Sequence, residues 1–495
     1  SEIASEDALM KQFGLKVRDG SFLKGRPFQA PWTSHSLLVP WIWNHQPLVA
    51  NFLGLHRVRA DQLLADLDVL QPVMERAYGG WDSAAARGWD WNRWFADWRA
   101  RLAAKGKSKL SFDDAFAPMD ALFGFQRDNH TQIPLNRGKT SDGSQTALLA
   151  NEPAAACVEI RAGGRTFPID PRDAGQRART AKLWKIGAKS FGPANYLSMP
   201  TSYGTPLEVR CGNAWITLQP VGVPTPSAWS LLVNRLWNRP RPDPVRIERL
   251  GDGVVYARLP SFYWKNYDSA SRQGWAQRQP ADRVLIVDLR DNEGGDGTYG
   301  TAALEGWIDE NRLKGFQDFG SQLGNSCLLP ALTWNRAVLD SPTIRPSQLK
   351  FLQLQLDRMA QPYPDGCPRS VNVIPPQWTY PQRRFDPKPG DLRIVALVNS
   401  GCGSDCEFIT MQLASLPETI VVGVNTFGVG QFIQPGYSVL PHTGLGYRIA
   451  QGRSNHYGDD RSYDGYGLDV DVVLPDVDIL KPEQLTELAE VVNKL

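Results

Sequence analysis

Ser404 stands in "NSGCGSDCE", residues 399–407, between the apolar run "LRIVALV" and the amphipathic "EFITMQLASL". A serine on a strand-to-helix turn presents its hydroxyl at a helix start. There the dipole favours an anion and unbonded N–H groups can hold an oxyanion. That is acyl-transfer chemistry, and the nucleophile elbow of α/β-hydrolases uses the same geometry. Ser404 and Glu407 also have the spacing of an S-x-x-E capping box, so capping and nucleophilic attack are both compatible with the stretch. A second stretch, "DLRDNEGGDG", Asp288 to Gly297, follows the apolar "RVLIV". Its glycines allow a tight turn that brings bare N–H groups toward a ligand. A phosphate loop does not fit, because neither GxxxxGK[ST] nor GxGxxG is present. Two further glycine turns, "VVGVNTFGVGQ" and "SYDGYGLDVDVVLPDV", supply Asp464, Asp469 and Asp471, while His130 ("QRDNHTQIPL") and His456 ("GRSNHYGDD") are candidate bases.

Positioning these residues takes several elements. At 495 residues the chain exceeds one ordinary core. Residues 1–54 are rich in Pro and Trp and read as an extended N-terminal segment. Residues 55–130 hold three runs with helical spacing: "RVRADQLLADLDVLQPVMERAY", "WNRWFADWRARLAAK" and "SFDDAFAPMDALFGF", the last capped by Ser111. Residues 131–225 alternate like strands around a basic piece, "AGQRARTAKLWKIGA", that reads as helical, which suggests a small β-rich domain. From 226 to 495 buried strands alternate with helices, which predicts an α/β core with a mainly parallel sheet and ligands at the carboxyl ends of its strands. An irregular insertion at 314–390 is long enough to act as a lid.

A net charge of +2 gives no electrostatic case for nucleic acid, and no apolar run is long enough to span a membrane. Six cysteines lack the spacing of a zinc site, so no metal is expected. Their even number suggests an oxidising compartment, with Cys157–Cys211 and Cys327–Cys367 as the expected bridges; Cys402 and Cys406, four apart across a tight turn, could bridge only if disulfide geometry allows it. The sequence opens on "SEIASEDALMKQ" without a starting Met. A periplasmic or secreted protein whose leader is absent from the chain is therefore expected. The seventeen tryptophans crowd toward residues 32–98 and are expected mainly to fill cores.

In chain order, Asp-Leu-Arg-x-Asn-x-Gly-Gly (288–295), Gly-Ser-x-x-Glu (403–407), "VGVNTFGVG" (422–430) and Asp-Gly-x-Gly-Leu-x-x-Asp (464–471) resemble the motifs of the S41 peptidases. These are the C-terminal processing proteases, the tricorn core protease and their relatives. The resemblance covers roughly 57–130 and 250–480, and the 131–225 region stands where many members carry a PDZ domain. It implies a ClpP/crotonase-like α/β core, Ser404 as nucleophile, and an oxyanion hole from Gly294 or Gly295 with Asp405. The processing-protease branch takes its base from a lysine within "TFGKG"; here that slot is Val429. The tricorn branch uses a histidine in a "D-x-H-T" motif, which Asp128-Asn129-His130-Thr131 resembles. His130 is then the base and Asp464 its carboxylate partner, with Asp469 or Asp471 as substitutes. His456 is a rival base or, with Asn129, a substrate contact. The implied enzyme is a serine peptidase needing no cofactor and acting on a peptide or protein, its activity rising through roughly pH 6 to 7.5 as an ordinary imidazole loses its proton. The missing lysine allows a silent S41 fold that only binds, and the same machinery would also cleave an ester or other acyl bond.

Overall fold

The computed structural model describes residues 57–134, 144–221 (apart from 150–156, 163–164, 169–177, 201–206 and 218), 244–314 (apart from 263–266 and 268–274), 321–323, and 380–495 (apart from 381–382, 441, 444 and 455–462). The N-terminal segment, most of the 314–390 insertion, and Cys327, Cys367 and His456 therefore lie outside the described residues. The chain forms two compact units. One comprises 1–141, 321–373 and 432–454; the other comprises 142–320, 374–431 and 455–495.

The second unit is built on a ten-stranded sheet. Its centre is formed by β1 (Val254–Arg258), β2 (Val284–Asp288), β3 (Arg393–Val398), β4 (Thr419–Gly423) and β5 (Val472–Val473), all parallel neighbours in that order. Every residue of β2 and of β4 is buried. Such uninterrupted Val/Ile/Leu runs need helices on both faces. On one face α1 (Gly297–Leu304) and α2 (Asp405–Ala414) set Leu304, Ile409 and Leu413 against Leu285, Val287 and Ile394. On the other, α3 (Pro482–Asn493) sets Leu485, Leu488 and Val492 against Ile286, Val395 and Val422.

The basic piece expected to be helical contains instead the strand Ala178–Leu183. It pairs in parallel with β5 and antiparallel with Gly192–Pro200. Pairing on both edges outweighs a weak local helical pattern. The 131–225 region accordingly divides between two sheets. The strands at 144–149, 178–183, 192–200 and 219–221 extend the large sheet, while those at 157–162, 165–168, 207–211 and 214–217 form a separate four-stranded one. The stretch "TAALEGWIDENRL" does not form one helix: it divides between the end of α1 and a short turn of helix at Glu310–Lys314.

The first unit holds the three expected helices, Ala60–Ala77, Trp91–Ala103 and Phe112–Gln126. Leu63, Leu67, Leu70 and Met74 recur at helical spacing and are fully buried. The Ser111 hydroxyl accepts from the Asp114 N–H at 3.1 Å, as its capping position requires. An antiparallel hairpin, Phe432–Val439 with Gly446–Ser454, belongs to this unit rather than to the α/β core. It contributes Phe432, Tyr447 and Ile449 to the same apolar cluster. The buried Asp66 accepts from the His442 and Thr443 N–H groups in the hairpin's turn, at 2.7 and 2.9 Å. Among the described residues no helix is long and apolar enough to cross a membrane.

Trp91, Trp94 and Trp98 face inward, and each indole N–H donates to a carbonyl: that of Trp81, Pro118 and Ala115 respectively. Trp98 is fully buried, so Trp98→Ala should destabilise this unit by about 3–5 kcal/mol, read as a fall in the denaturation midpoint. A loss under 1 kcal/mol would mean that the tryptophan cluster does not form the core of this unit.

Candidate active site

Ser404 sits where β3 turns into α2. Its backbone lies at φ 56°, ψ −123°, a conformation serine rarely adopts, and its side chain makes no capping hydrogen bond to the helix. The S-x-x-E box expected as an alternative does not form. What holds the turn is the facing glycine loop. The Gly403 N–H donates to the Asn292 carbonyl at 3.0 Å. The Asn399 side chain accepts from the Asp291 and Gly401 N–H groups (2.8 and 3.0 Å) and donates to the Asp291 and Asp478 carboxylates (2.9 and 2.6 Å).

Gly294 presses its bare α-carbon against this turn. A Cβ there would lie 2.8 Å from the Gly403 oxygen and 2.9 Å from both Asp405 N and Ser404 Cβ, and φ is +94°. Any side chain would displace the nucleophile. The Gly294 N–H is already donated to the Asn292 side chain at 2.8 Å. The Asp405 N–H opens α2 among the groups a helix cannot satisfy itself. The Asp405 carboxyl turns to the start of α1 and accepts from the Gly297 N–H at 3.2 Å. Burial, with Asp296 adding to it, pushes its pKa up to about 6.

The rest of "DLRDN" is a lock. Asp288, fully buried, accepts from Arg258, from the Arg290 guanidinium and backbone, and from the Tyr256 hydroxyl, with contacts of 2.6 to 3.1 Å. Burial alone would raise its pKa; the hydrogen bonds and charge of Arg290, with Arg258, outweigh it and hold the carboxyl below its ordinary range. Arg290 also donates to the Val477 carbonyl at 2.6 Å.

Glu407, also fully buried, accepts from the Thr426 hydroxyl and from the Gly428 and Val429 N–H groups, the latter two at 2.8 Å. It thereby fastens the "TFGVG" loop to α2. Val429 does occupy a position beside the serine: its Cγ1 would lie 3.0 Å from a Cβ on Gly403. Valine offers no base there. Asp464 lies in the neighbouring turn, fully buried, and accepts from the Gln431 N–H at 2.9 Å. Asp471, the proposed substitute, is committed elsewhere, to Arg383 at 3.0 Å and to the Val421 N–H at 2.8 Å. Asp469 lies near the Asn425 amide, at 3.5 Å.

His130 belongs to the first unit and Ser404, Asp464, Gly294, Gly295 and Asp405 to the second. Within its own unit the histidine segment is held firmly. Asp128 accepts from the His130 and Thr131 N–H groups at 2.8 and 3.0 Å. Gln132 exchanges backbone hydrogen bonds with Arg448 on the hairpin, at 2.9 and 3.0 Å. The Arg448 guanidinium donates to the Asn129 carbonyl at 2.8 Å, and the Asn129 side chain is buried. Burial, helped by the Arg448 charge, lowers the imidazole pKa to about 4. This corrects the expectation of an ordinary imidazole titrating through pH 6 to 7.5.

Cys402 and Cys406, four positions apart, are bonded to each other across Ser404. Cys211 is disulfide-bonded, and Cys157 lies directly opposite it in the antiparallel ladder. Among the described residues no group of three or more His, Cys, Asp or Glu could hold a metal ion. Sequence reasoning gave Asn292 only a place in the motif and Asn399 no role. Their signal was available: each is an asparagine within a few residues of the carboxyl end of a buried parallel strand.

Two predictions follow from these environments. A base is competent when neutral, so the acidic limb of activity should fall near pH 4 and not 6.5. Arg448→Gln removes a cation that disfavours imidazolium and should move that limb to higher pH in a kcat/KM profile. A profile unmoved by the substitution would separate His130 from the pH-dependent step. For Glu407, burial raises the folded pKa to about 7. The folded chain then holds a proton that the unfolded chain releases between about pH 4.5 and 7. Its contribution to stability is full below 4.5 and is lost as pH rises through 7. Glu407→Gln should flatten that part of the melting-temperature profile, and an unchanged slope would assign it to another group.

Comparison with known proteins bears on the α/β unit. Solved structures similar to this chain include mature CPAF complexed with lactacystin (14% identity, 88% of this chain and 99% of that one, TM-score 0.40). They also include the photosystem II D1 C-terminal processing protease (16% identity, 88% and 97%, TM-score 0.33) and the tricorn protease (12% identity, 87% and 37%, TM-score 0.35). No curated protein matches. The family model for peptidase family S41 matches residues 253–474, the span from β1 to just past β5 that contains Ser404, both glycine loops and Asp464; the α/β core of this chain belongs to peptidase family S41.

Proposed function

We propose that the chain is a serine peptidase that cleaves peptide bonds through an acyl-enzyme on Ser404, with His130 as general base and Asp464 as the carboxylate that supports it. The observation that carries this reading is the serine turn: a strained Ser404 with no cap bond, at a helix start, against a glycine that admits no side chain. In the reaction Ser404 Oγ attacks the carbonyl carbon while its proton passes to the imidazole. The oxyanion that forms is held by the N–H groups of Gly295 and Asp405, donors worth about 2.7–4 kcal/mol each in acyl transfer. The imidazolium then protonates the leaving amine, and water repeats the sequence on the acyl-enzyme. Val429 supports a histidine base, since it removes the lysine alternative. The lowered His130 pKa supports it too, because the ring stays neutral across the physiological range. A buried disulfide at the nucleophile supports a working place in an oxidising compartment, periplasmic or extracellular.

One observation favours a second reading. Val429 in the lysine slot is also what an S41 fold that has lost catalysis and only binds peptides would carry. A fluorophosphonate probe separates the two, because only an activated serine is phosphonylated. The wild type should be labelled at Ser404. Ser404→Ala should abolish labelling and lower peptidase activity by orders of magnitude, with the melting temperature nearly unchanged. His130→Ala should lose about as much activity, since members of such a unit are not additive. A wild type inert to the probe would favour the binding module, and an active Ser404→Ala variant would rule the mechanism out.

A further inference from the structure

We propose that the Cys402–Cys406 bridge is a positioning element of the active site: it fixes the turn that carries Ser404, so that the chain acylates efficiently only in its disulfide form. The inference rests on Ser404 being the nucleophile.

The bridge encloses the serine symmetrically, two residues before it and two after. Cys402 belongs to the strand side of the turn. Its N–H donates to the Asn399 carbonyl at 3.0 Å, and its carbonyl accepts from the Phe427 N–H at 2.8 Å. Cys406 belongs to the helix side, in the first turn of α2, with its N–H on the Gly403 carbonyl at 3.1 Å. The bond therefore joins the two halves of a backbone that must hold Ser404 at φ 56°, ψ −123°. Residues in such regions persist only where their surroundings over-determine them. Hydrogen bonds supply part of that restraint, chiefly Gly403 to Asn292 and the Glu407 and Phe408 N–H groups to the Ser404 carbonyl. The covalent link supplies a restraint that does not exchange with water.

Stapling the fold is a poor account of the same bond. A bridge only four positions apart constrains little of the unfolded chain. Both cysteines are fully buried, so a soluble thiol does not reach the bond in the folded protein, and the bridge is a fixture set when the chain folds. Its formation transfers two electrons and two protons from the cysteine pair to a disulfide oxidant, which leaves as two thiols. One cysteine thiolate attacks the oxidant to give a mixed disulfide, and the other then displaces the remaining thiol.

One tryptic peptide, 394–448, contains Cys402, Ser404 and Cys406 with no internal Lys or Arg. It reports bond state and phosphonylation together. Wild-type protein would be unfolded with a dithiol, refolded with graded glutathione disulfide, exposed briefly to a fluorophosphonate, then alkylated and digested. The labelling rate of chains with alkylated Cys402 and Cys406 should be about 10- to 100-fold below that of bridged chains, as a nucleophile held out of position implies. Re-oxidation before probing should restore it. Equal rates in the two forms would overturn the proposal. The Cys402→Ser/Cys406→Ser variant, shown to be folded by circular dichroism, gives a second reading. It should label as slowly as the thiol form, and a wild-type rate would also overturn the proposal. Should neither form label, the nucleophile reading itself falls, whereas a labelled Ser404 at equal rates in both forms removes only the role of the bridge.

Discussion

Serine does not settle at φ 56°, ψ −123° by local preference, yet Ser404 is held there at the head of α2. The conformation is imposed from outside the turn. Asn292, on the loop after β2, accepts from Gly403, and Asn399, at the end of β3, clamps Asp291. Those two loops are neighbours only because β2 and β3 pair in parallel with Asp288 opposite Leu397. The buried sheet is thus the instrument that holds one serine in a sparsely populated backbone region. The glycine at 294 follows from the same constraint, since the facing loop must come within contact distance of the serine, while Gly295 is pressed against the Phe262 backbone.

Two buried carboxylates extend the arrangement in opposite electrostatic styles. Asp288 is met by two arginines and a tyrosine and stays ionised, which fixes the departure angle of the chain from β2. Glu407 is met by backbone N–H groups and a threonine hydroxyl, so burial dominates and its proton is held more tightly. Its task is to fasten the loop that contains Val429. That loop lies beside the serine, and its valine supplies no base there.

Much of this was legible in the sequence. The parallel strands announce themselves as unbroken apolar runs such as "VLIV" and "IVALV", and the motif order fixed the neighbourhood of Ser404, Gly294, Gly295 and Asp464. What local pattern could not convey was partnership. Ala178–Leu183 has a helical texture and becomes a strand because β5 and Gly192–Pro200 offer it two edges. The hairpin at 432–454 lies between β4 and β5 in sequence but packs its apolar face with helices 300 residues and more upstream, as the Asp66–Thr443 contact shows, 377 positions apart. A capping box was a fair reading of Ser404 and Glu407 until the glutamate proved to be claimed by Thr426, Gly428 and Val429. The His130 pKa is lowered by burial and by Arg448, neither of which inspection of "DNHT" could supply.

The bond from Gly403 to Asn292 joins segments that are more than 100 residues apart in the chain. During synthesis the strand of residues 284–288 and its glycine loop emerge well before the serine, and the tight turn cannot be imposed until both are present and aligned. A nascent or partly unfolded chain therefore carries a serine hydroxyl no more reactive than any other. Long-range topology thus ties the surroundings of this serine to completed folding.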